Sequence, residues 1–370
     1  RCGLLSHSRR GTMRAMDGAP LPTTVLTGFL GSGKTTFLRR ALGDPGFTDT
    51  AVVVNEVGAV AIDHHLVDFV EGAVLELPGG CLCCAIREDV ARTLRDLVER
   101  RDAGRVRPFR RIVIETSGLA DPAPLLYTLG ADAMLDARLT LAGVVTLIDA
   151  EHGAATLARF AEAARQAAMA DRLVISKTDL APLSAELDRA LVALNPAAER
   201  IVGQDADDPP AVLFGDASSL RPGAVRSSLP RMGSRVTDGA DSAVHTHGVD
   251  TFTLILDGPV TRLDFAKALG ALAAAHGSDL LRVKGIVAFA DRRGADTQPQ
   301  PAVVQAAQHT LFAPEWLAAW PDRDRRSRLV FVVHEVAREA VLAAFAFAAP
   351  RLLATAAPAV PVHAVHAAHA

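Results

Sequence analysis

The chain has 370 residues, a formal net charge of −3, 49% hydrophobic and 22% charged side chains, and four cysteines. That balance excludes general disorder, and the small net charge gives no electrostatic reason to expect nucleic acid or a membrane surface as partner. No apolar run is long enough to span a bilayer, and three of the four cysteines fall within four consecutive positions, which makes no disulfide framework.

Residues 1–21 carry Arg9 and Arg10 without an apolar stretch, so they do not read as a secretory signal and are expected to be disordered or non-native. A reduced, cytoplasmic setting follows from the cysteine usage.

From 22 to 215, short apolar runs alternate with helical stretches. The runs are 24–27, 51–55, 73–77, 111–115, 141–149 and 172–176; helical periodicity covers 34–43, 85–101, 155–169 and 183–194. This alternation predicts an α/β domain with a mostly parallel sheet covered on both faces. Residues 216–248 are rich in Ser, Arg, Gly and Asp, lack periodicity, and read as a linker containing His245 and His247. A smaller α+β domain is expected over 249–348, with strands at 250–256, 280–290 and 328–333, a helix at 261–275, an apolar stretch near 302–312 and an Ala-rich helix at 335–347. The tail, 349–370, is rich in Ala and Pro and carries His363, His366 and His369.

The first strand runs into Gly28-Phe-Leu-Gly31-Ser32-Gly33-Lys34-Thr35, followed by Thr36 and a helix. This is the Gly-x4-Gly-Lys-Thr pattern of a phosphate loop. Its glycines let backbone N–H groups face a β-phosphate at a helix N-terminus. Lys34 would neutralise β/γ-phosphate charge, and Thr35 would place its hydroxyl on Mg²⁺. The 39 basic side chains include only four lysines, so two of these four falling inside nucleotide motifs carries weight.

Ile112-Val-Ile-Glu115-Thr-Ser-Gly118 is an apolar strand ending in a carboxylate. Glu115 could hold the magnesium shell or its water, and the Gly118 N–H could meet the γ-phosphate. Leu173-Val-Ile-Ser176-Lys177-Thr-Asp179 is a second strand with a Ser-Lys-x-Asp turn. The Asp179 carboxylate can accept from both N1–H and the exocyclic amine of guanine, which adenine does not offer. GTP is therefore the expected nucleotide.

Pro78-Gly-Gly-Cys81-Leu-Cys83-Cys84 follows a strand and opens a helix, where thiolates are favoured and suit Zn²⁺, Co²⁺ or Ni²⁺. Three adjacent sulfurs cannot all bind one ion without strain, so two of them with ligands from elsewhere is a plausible set. Between this cluster and the phosphate loop, Glu56, Asp63, His64 and His65 sit where a switch segment belongs, each able to reach magnesium or the transition metal.

Taken together, "TVLTGFLGSGKTTFLRRAL", "VVNEVGAVAID", "LPGGCLCC", "IVIETSGLADPAPL", "VVTLIDA" and "ADRLVISKTDL", with "LLRVKGIVAF" beyond the linker, resemble the CobW-type branch of the phosphate-loop GTPases that also includes UreG and HypB. The resemblance spans about 22 to 347. It implies slow GTP hydrolysis coupled to delivery of Zn²⁺ or Co²⁺ to a client metalloprotein, and thiolate ligation by Cys81, Cys83 and Cys84. A metal-responsive regulatory GTPase that activates a metalloenzyme or cobalamin-pathway partner is the alternative. No glutamine or internal arginine is placed to orient water, so turnover is expected to be slow until a partner or a dimer contact helps; a homodimer stays open. Ala59 stands where relatives commonly carry a second glutamate, and the short Cys-Pro docking motif of eukaryotic zinc-transferring relatives is absent from the N-terminus.

Overall fold

The structure is a computed structural model that describes residues 19–55, 74–76, 85–202, 208–214, 247–290 and 299–353. The N-terminal unit is built on seven parallel strands: β1 (Leu21–Gly28), β2 (Thr50–Asn55), β3 (Val74–Glu76), β4 (Arg111–Thr116), β5 (Leu139–Asp149), β6 (Arg172–Ser176) and β7 (Glu199–Val202). They are ordered β3-β2-β4-β1-β5-β6-β7. Crossovers on either side of β1 make it the topological switch point, with ligands expected outside the carboxyl ends of the strands there.

Alternate side chains of the central strands go to opposite faces, as strand geometry requires. Val25, Val53, Ile112, Ile114, Val144 and Leu173 pack under α2 (Ala85–Asp102), α3 (Ala123–Ala131), α4 (Ala133–Arg138), α5 (Gly153–Arg159), α6 (Ala161–Ala168) and α7 (Ala185–Leu194). Leu26, Val52, Val113, Val145 and Val174 pack against α1 (Lys34–Leu42) and α8 (Pro209–Phe214). Both faces being covered explains why these strands read as unbroken apolar runs.

The helix expected over 155–169 is two helices. Phe160 adopts an extended conformation (φ −118°, ψ 118°) between α5 and α6. Its ring stacks on Phe29 of the phosphate loop, centroids 4.6 Å apart, which draws the backbone out of the helical path. The short elements α4, β7 and α8 also fall where no periodicity announced them.

The C-terminal unit is an antiparallel sheet of β8 (Val249–Leu256), β9 (Arg282–Phe289), β10 (Gln300–Ala307), β11 (Thr310–Leu311), β12 (Glu315–Trp316), β13 (Ser327–His334) and β14 (Arg351–Leu353). The helices are α9 (Arg262–His276), started by the Thr261 hydroxyl accepting from the Asp264 N–H at 3.1 Å, and α10 (Arg338–Ala344). The Ala-rich helix expected over 335–347 is thus confined to α10 and a short 3-10 turn at Ala346–Ala348, because Glu335 takes a left-handed φ of 53° and Ala337 is extended. One sheet face packs Phe252, Phe289, Leu329 and Phe331 against these helices. From the other face and the sheet's edge, Val249, Leu281, Ala307 and Val332 join the first unit's core, so the two units share an apolar seam. No helix among the described residues is long and apolar enough to cross a membrane.

Candidate nucleotide site

Three loops leave the same carboxyl edge of the parallel sheet. The first follows β1. Gly28 takes φ 144°, and a Cβ there would lie 2.6 Å from the Leu147 carbonyl oxygen and 2.7 Å from Ser32 Oγ. Gly33, at φ 92°, is the left-handed N-cap of α1. These backbone conformations need glycine, and they turn 28–33 into the N-terminus of α1. Lys34 is buried, and its Nζ donates to the carbonyl oxygens of Gly28 at 2.7 Å and Phe29 at 3.2 Å. Ser32 is buried, Thr35 half-buried, and Gly31 and Thr36 exposed.

The second loop follows β4, which lies between β1 and β2 with Glu115 level with Leu26 and Val54. Glu115 is 2% exposed, and Thr116 Oγ donates to Thr27 Oγ at 2.7 Å, fastening the ends of the two strands together. Gly118 sits directly against the phosphate loop. A Cβ on it would fall 2.7–2.9 Å from atoms of Leu30, so only glycine allows this approach.

The third loop follows β6. Ser176 Oγ donates to the Ser32 carbonyl oxygen at 2.7 Å and lies 3.1 Å from that of Ile148, tying this loop to the first. Lys177 has a left-handed φ of 57°, and its Nζ is 2.6 Å from Asp149 Oδ2. Asp179 is exposed beyond it. Asp149 is a site residue that the sequence did not single out. Its Oδ1 accepts from the N–H groups of Glu151 (2.8 Å) and His152 (3.1 Å). Burial pushes its carboxyl up, but the hydrogen bond from Lys177 and those two N–H groups outweigh it and hold it below the ordinary carboxylate value.

The structure therefore brings Gly28, Gly31, Ser32, Gly33, Lys34, Thr35, Thr36, Glu115, Gly118, Ser176, Lys177 and Asp179 to one edge of one sheet. Glu56, Asp63, His64, His65, Cys81, Cys83 and Cys84 lie outside the described residues, among which no cluster of His, Cys, Asp or Glu could hold a metal. A cavity of about 40 Å³ opens elsewhere, at the seam with the second unit, and none of the nucleotide-loop residues lines it.

A phosphate cradle fastened by a serine to a base loop with an exposed aspartate defines a phosphate-loop GTPase. The family profile described as "CobW/HypB/UreG, nucleotide-binding domain" matches residues 22–202, and "Cobalamin synthesis protein cobW C-terminal domain" matches 249–349. The chain is 31% identical over 327 residues to the zinc chaperone YjiA of Escherichia coli strain K12, covering 88% of this chain and 98% of that protein. It is 38% identical over 168 residues to the zinc-regulated GTPase metalloprotein activator 1 of Schizosaccharomyces pombe, 44% of this chain and 40% of that one. The crystal structure of Zn(II)-bound YjiA GTPase from E. coli superposes with a TM-score of 0.58 at 25% identity, covering 89% of this chain and 99% of that one. The chain belongs to the CobW/HypB/UreG family of GTPases, with a CobW C-terminal domain.

Proposed function

We propose that this GTPase carries a transition metal, zinc or cobalt, and releases it to a client metalloprotein under control of GTP hydrolysis. The observation that carries the nucleotide half is the Ser176 hydroxyl on the Ser32 carbonyl oxygen, which makes the base loop and the phosphate loop one rigid unit. Gly28, Gly31, Ser32, Gly33 and Thr36 would line the phosphates, Lys34 would oppose their charge, and Gly118 would meet the γ-phosphate. Lys177 and Asp179 would hold guanine. The hard oxygens of Thr35 and the buried Glu115 fit Mg²⁺, which on binding would neutralise β/γ-phosphate charge. Intrinsic turnover would be slow, with a client, or a second copy of the chain, supplying the help.

The metal half rests on Cys81, Cys83 and Cys84 with Glu56. β2 ends at Asn55, level with Thr116, and β3 ends at Glu76, both at the sheet edge where the nucleotide loops gather, and Glu56 and the cysteines come next in the sequence. Three closely spaced thiols also fit a reducing compartment, the cytoplasm. GTP with Mg²⁺ would act on segment 55–65 and the loop carrying Glu115 to complete the ligand set, and hydrolysis would relax it. The name of the E. coli relative, a zinc chaperone, supports zinc. That of the S. pombe relative favours a second reading, in which the ion signals to this protein and it activates a metalloenzyme without transferring the ion.

The test is elemental analysis of purified protein with and without a non-hydrolysable GTP analogue, followed by transfer to an apo-acceptor. Cys83→Ala should weaken Zn²⁺ binding by about 100-fold or more, as expected for loss of a thiolate ligand. Equal Zn²⁺ affinity in that variant would remove the metal half. Metal-stimulated GTP hydrolysis with no transfer would favour the second reading.

A further inference from the structure

We infer that Gln166 is a positioning residue for the γ-phosphate of GTP, its side-chain amide fixing the loop that contains Gly118. The inference rests on the reading that this loop meets the γ-phosphate.

Gln166 is 0% exposed on α6, in a stretch where Ala163, Ala164, Ala167 and Ala168 are buried too. Its Nε2 donates twice, to the carbonyl oxygens of Gly118 at 3.1 Å and Ala120 at 2.9 Å. Both N–H groups of one side chain thus serve one loop, more than forty residues away in sequence. The Gln166 Oε1 is buried and has no hydrogen-bond partner among the described residues. A buried amide acceptor left open is costly, and Met or Leu would fill the same space without that cost. Packing alone therefore does not explain a glutamine here, whereas holding two carbonyls does.

The effect on the loop follows from peptide geometry. In a trans peptide the C=O and the next N–H point in opposite directions. With the Gly118 and Ala120 carbonyls turned to Gln166, the N–H groups of Leu119 and Asp121 are turned away from α6. The loop is closed on itself by Ala120 N–H donating to the Ser117 carbonyl oxygen at 3.1 Å. It is pressed from the other side by Leu30 of the phosphate loop. A second tether, Arg165 to Asp121 at 3.3 Å, joins the same helix to the end of the same loop. The N–H groups of Leu119 and Asp121 are thereby set in advance of the ligand, and only a triphosphate presents this loop with an additional anion. Gln166 therefore discriminates GTP from GDP without touching either.

The experiment uses the full chain. Gln166→Met keeps bulk and removes both donors; Gln166→Glu keeps shape and sets a carboxylate against two carbonyls. Titration with GDP and with a non-hydrolysable GTP analogue should show the analogue about 10-fold weaker and GDP within about two-fold of wild type, with single-turnover hydrolysis about 10-fold slower. An unchanged analogue-to-GDP ratio in a folded variant overturns the inference, and so does an equal loss of both nucleotides. Should both Gln166 variants fail a thermal-unfolding check, Arg165→Ala decides by the same ratio, with a shift of about three-fold expected and none overturning it. If wild type itself binds neither nucleotide, the nucleotide reading falls and takes this inference with it; if wild type binds and hydrolyses GTP but the ratio never moves, only the inference falls.

Discussion

The ammonium of Lys34 is held by the carbonyl oxygens of the loop it serves, so its charge is in place before any phosphate arrives. Lys34→Ala should lower GTP affinity and turnover by about 100-fold or more, since it removes a charge-assisted contact to a polyanion. Nucleotide titration with phosphate-release kinetics checks this, and a variant within two-fold of wild type would refute it. Asp149 acts on the base side. It holds the Lys177 ammonium while Lys177 keeps a left-handed backbone, a conformation disfavoured for a side chain with a Cβ. Asp149→Asn should weaken GDP and GTP alike by about 10-fold. Because the carboxyl is held below its ordinary value, the ion pair is complete at neutral pH and is lost only as pH falls through that lowered value. Wild-type guanine affinity should therefore show no loss from this ion pair between neutral pH and the ordinary carboxylate range of about 4, and should lose it only below that range. The placement of Lys34, Glu115 and Lys177 at one edge of the sheet was legible in the sequence because fixed spacing after apolar runs sets it. Asp149 and Gln166 were not, because a lone polar residue after an apolar run, or among alanines, shows its role only once the partner loop is in view.

At the scale of elements, the turn from β1 to α1 leaves almost no freedom. Gly28→Ala combines a left-handed-side φ with a Cβ in the path of the Leu147 carbonyl, and backbone cannot step aside as a flexible side chain can. A loss of about 1–3 kcal/mol in stability is expected together with loss of nucleotide binding, measured by chemical denaturation and GDP titration. A variant of unchanged stability would mean that β5 yields. The buried central strands were legible, since covering on both faces demands unbroken apolar runs. The short elements β7, α8 and β14 were not, because their pairing partners define them: β7 lies along β6, and β14 along β8 within what the sequence offers as a tail. The break at Phe160 was hidden for a related reason. Phe160 stacks its ring on the phosphate loop at the break, while helical periodicity continues straight through it.

Across the whole molecule, the two units meet through charge as well as through the apolar seam. Asp171, just ahead of β6, takes Arg282 at 2.6 Å and Lys284 at 2.5 Å, both from β9, and accepts from the Val144 N–H at 2.8 Å. Arg282 also donates to the Met169 carbonyl oxygen at 2.5 Å, at the end of the helix that carries Gln166. Burial pushes the Asp171 carboxyl up, but Arg282 and Lys284 outweigh it and hold it well below the usual range; burial is also the main cause that lowers Lys284. Removing one partner of such a buried group strands the others, so Asp171→Ala should cost about 3–5 kcal/mol. Replacing the group as a whole is a different matter. Asp171→Asn with Arg282→Met and Lys284→Met keeps an acceptor for Val144 and leaves none of the three charges behind, although Met169 and Gln305 lose a donor and Glu315 loses the pull of Lys284. That triple variant should recover most of the loss in thermal unfolding. The two chains should also differ with pH. A lowered carboxyl contributes stability above its unfolded value of about 4 and loses it as pH falls further, so wild type should lose stability on acidification that the triple variant does not. Equal slopes for the two would show that Asp171 does not hold the units together by charge. If the triple variant is stable yet hydrolyses GTP at a changed rate, the second unit reaches the nucleotide through α6, from Arg282 at one end to Gln166 at the other.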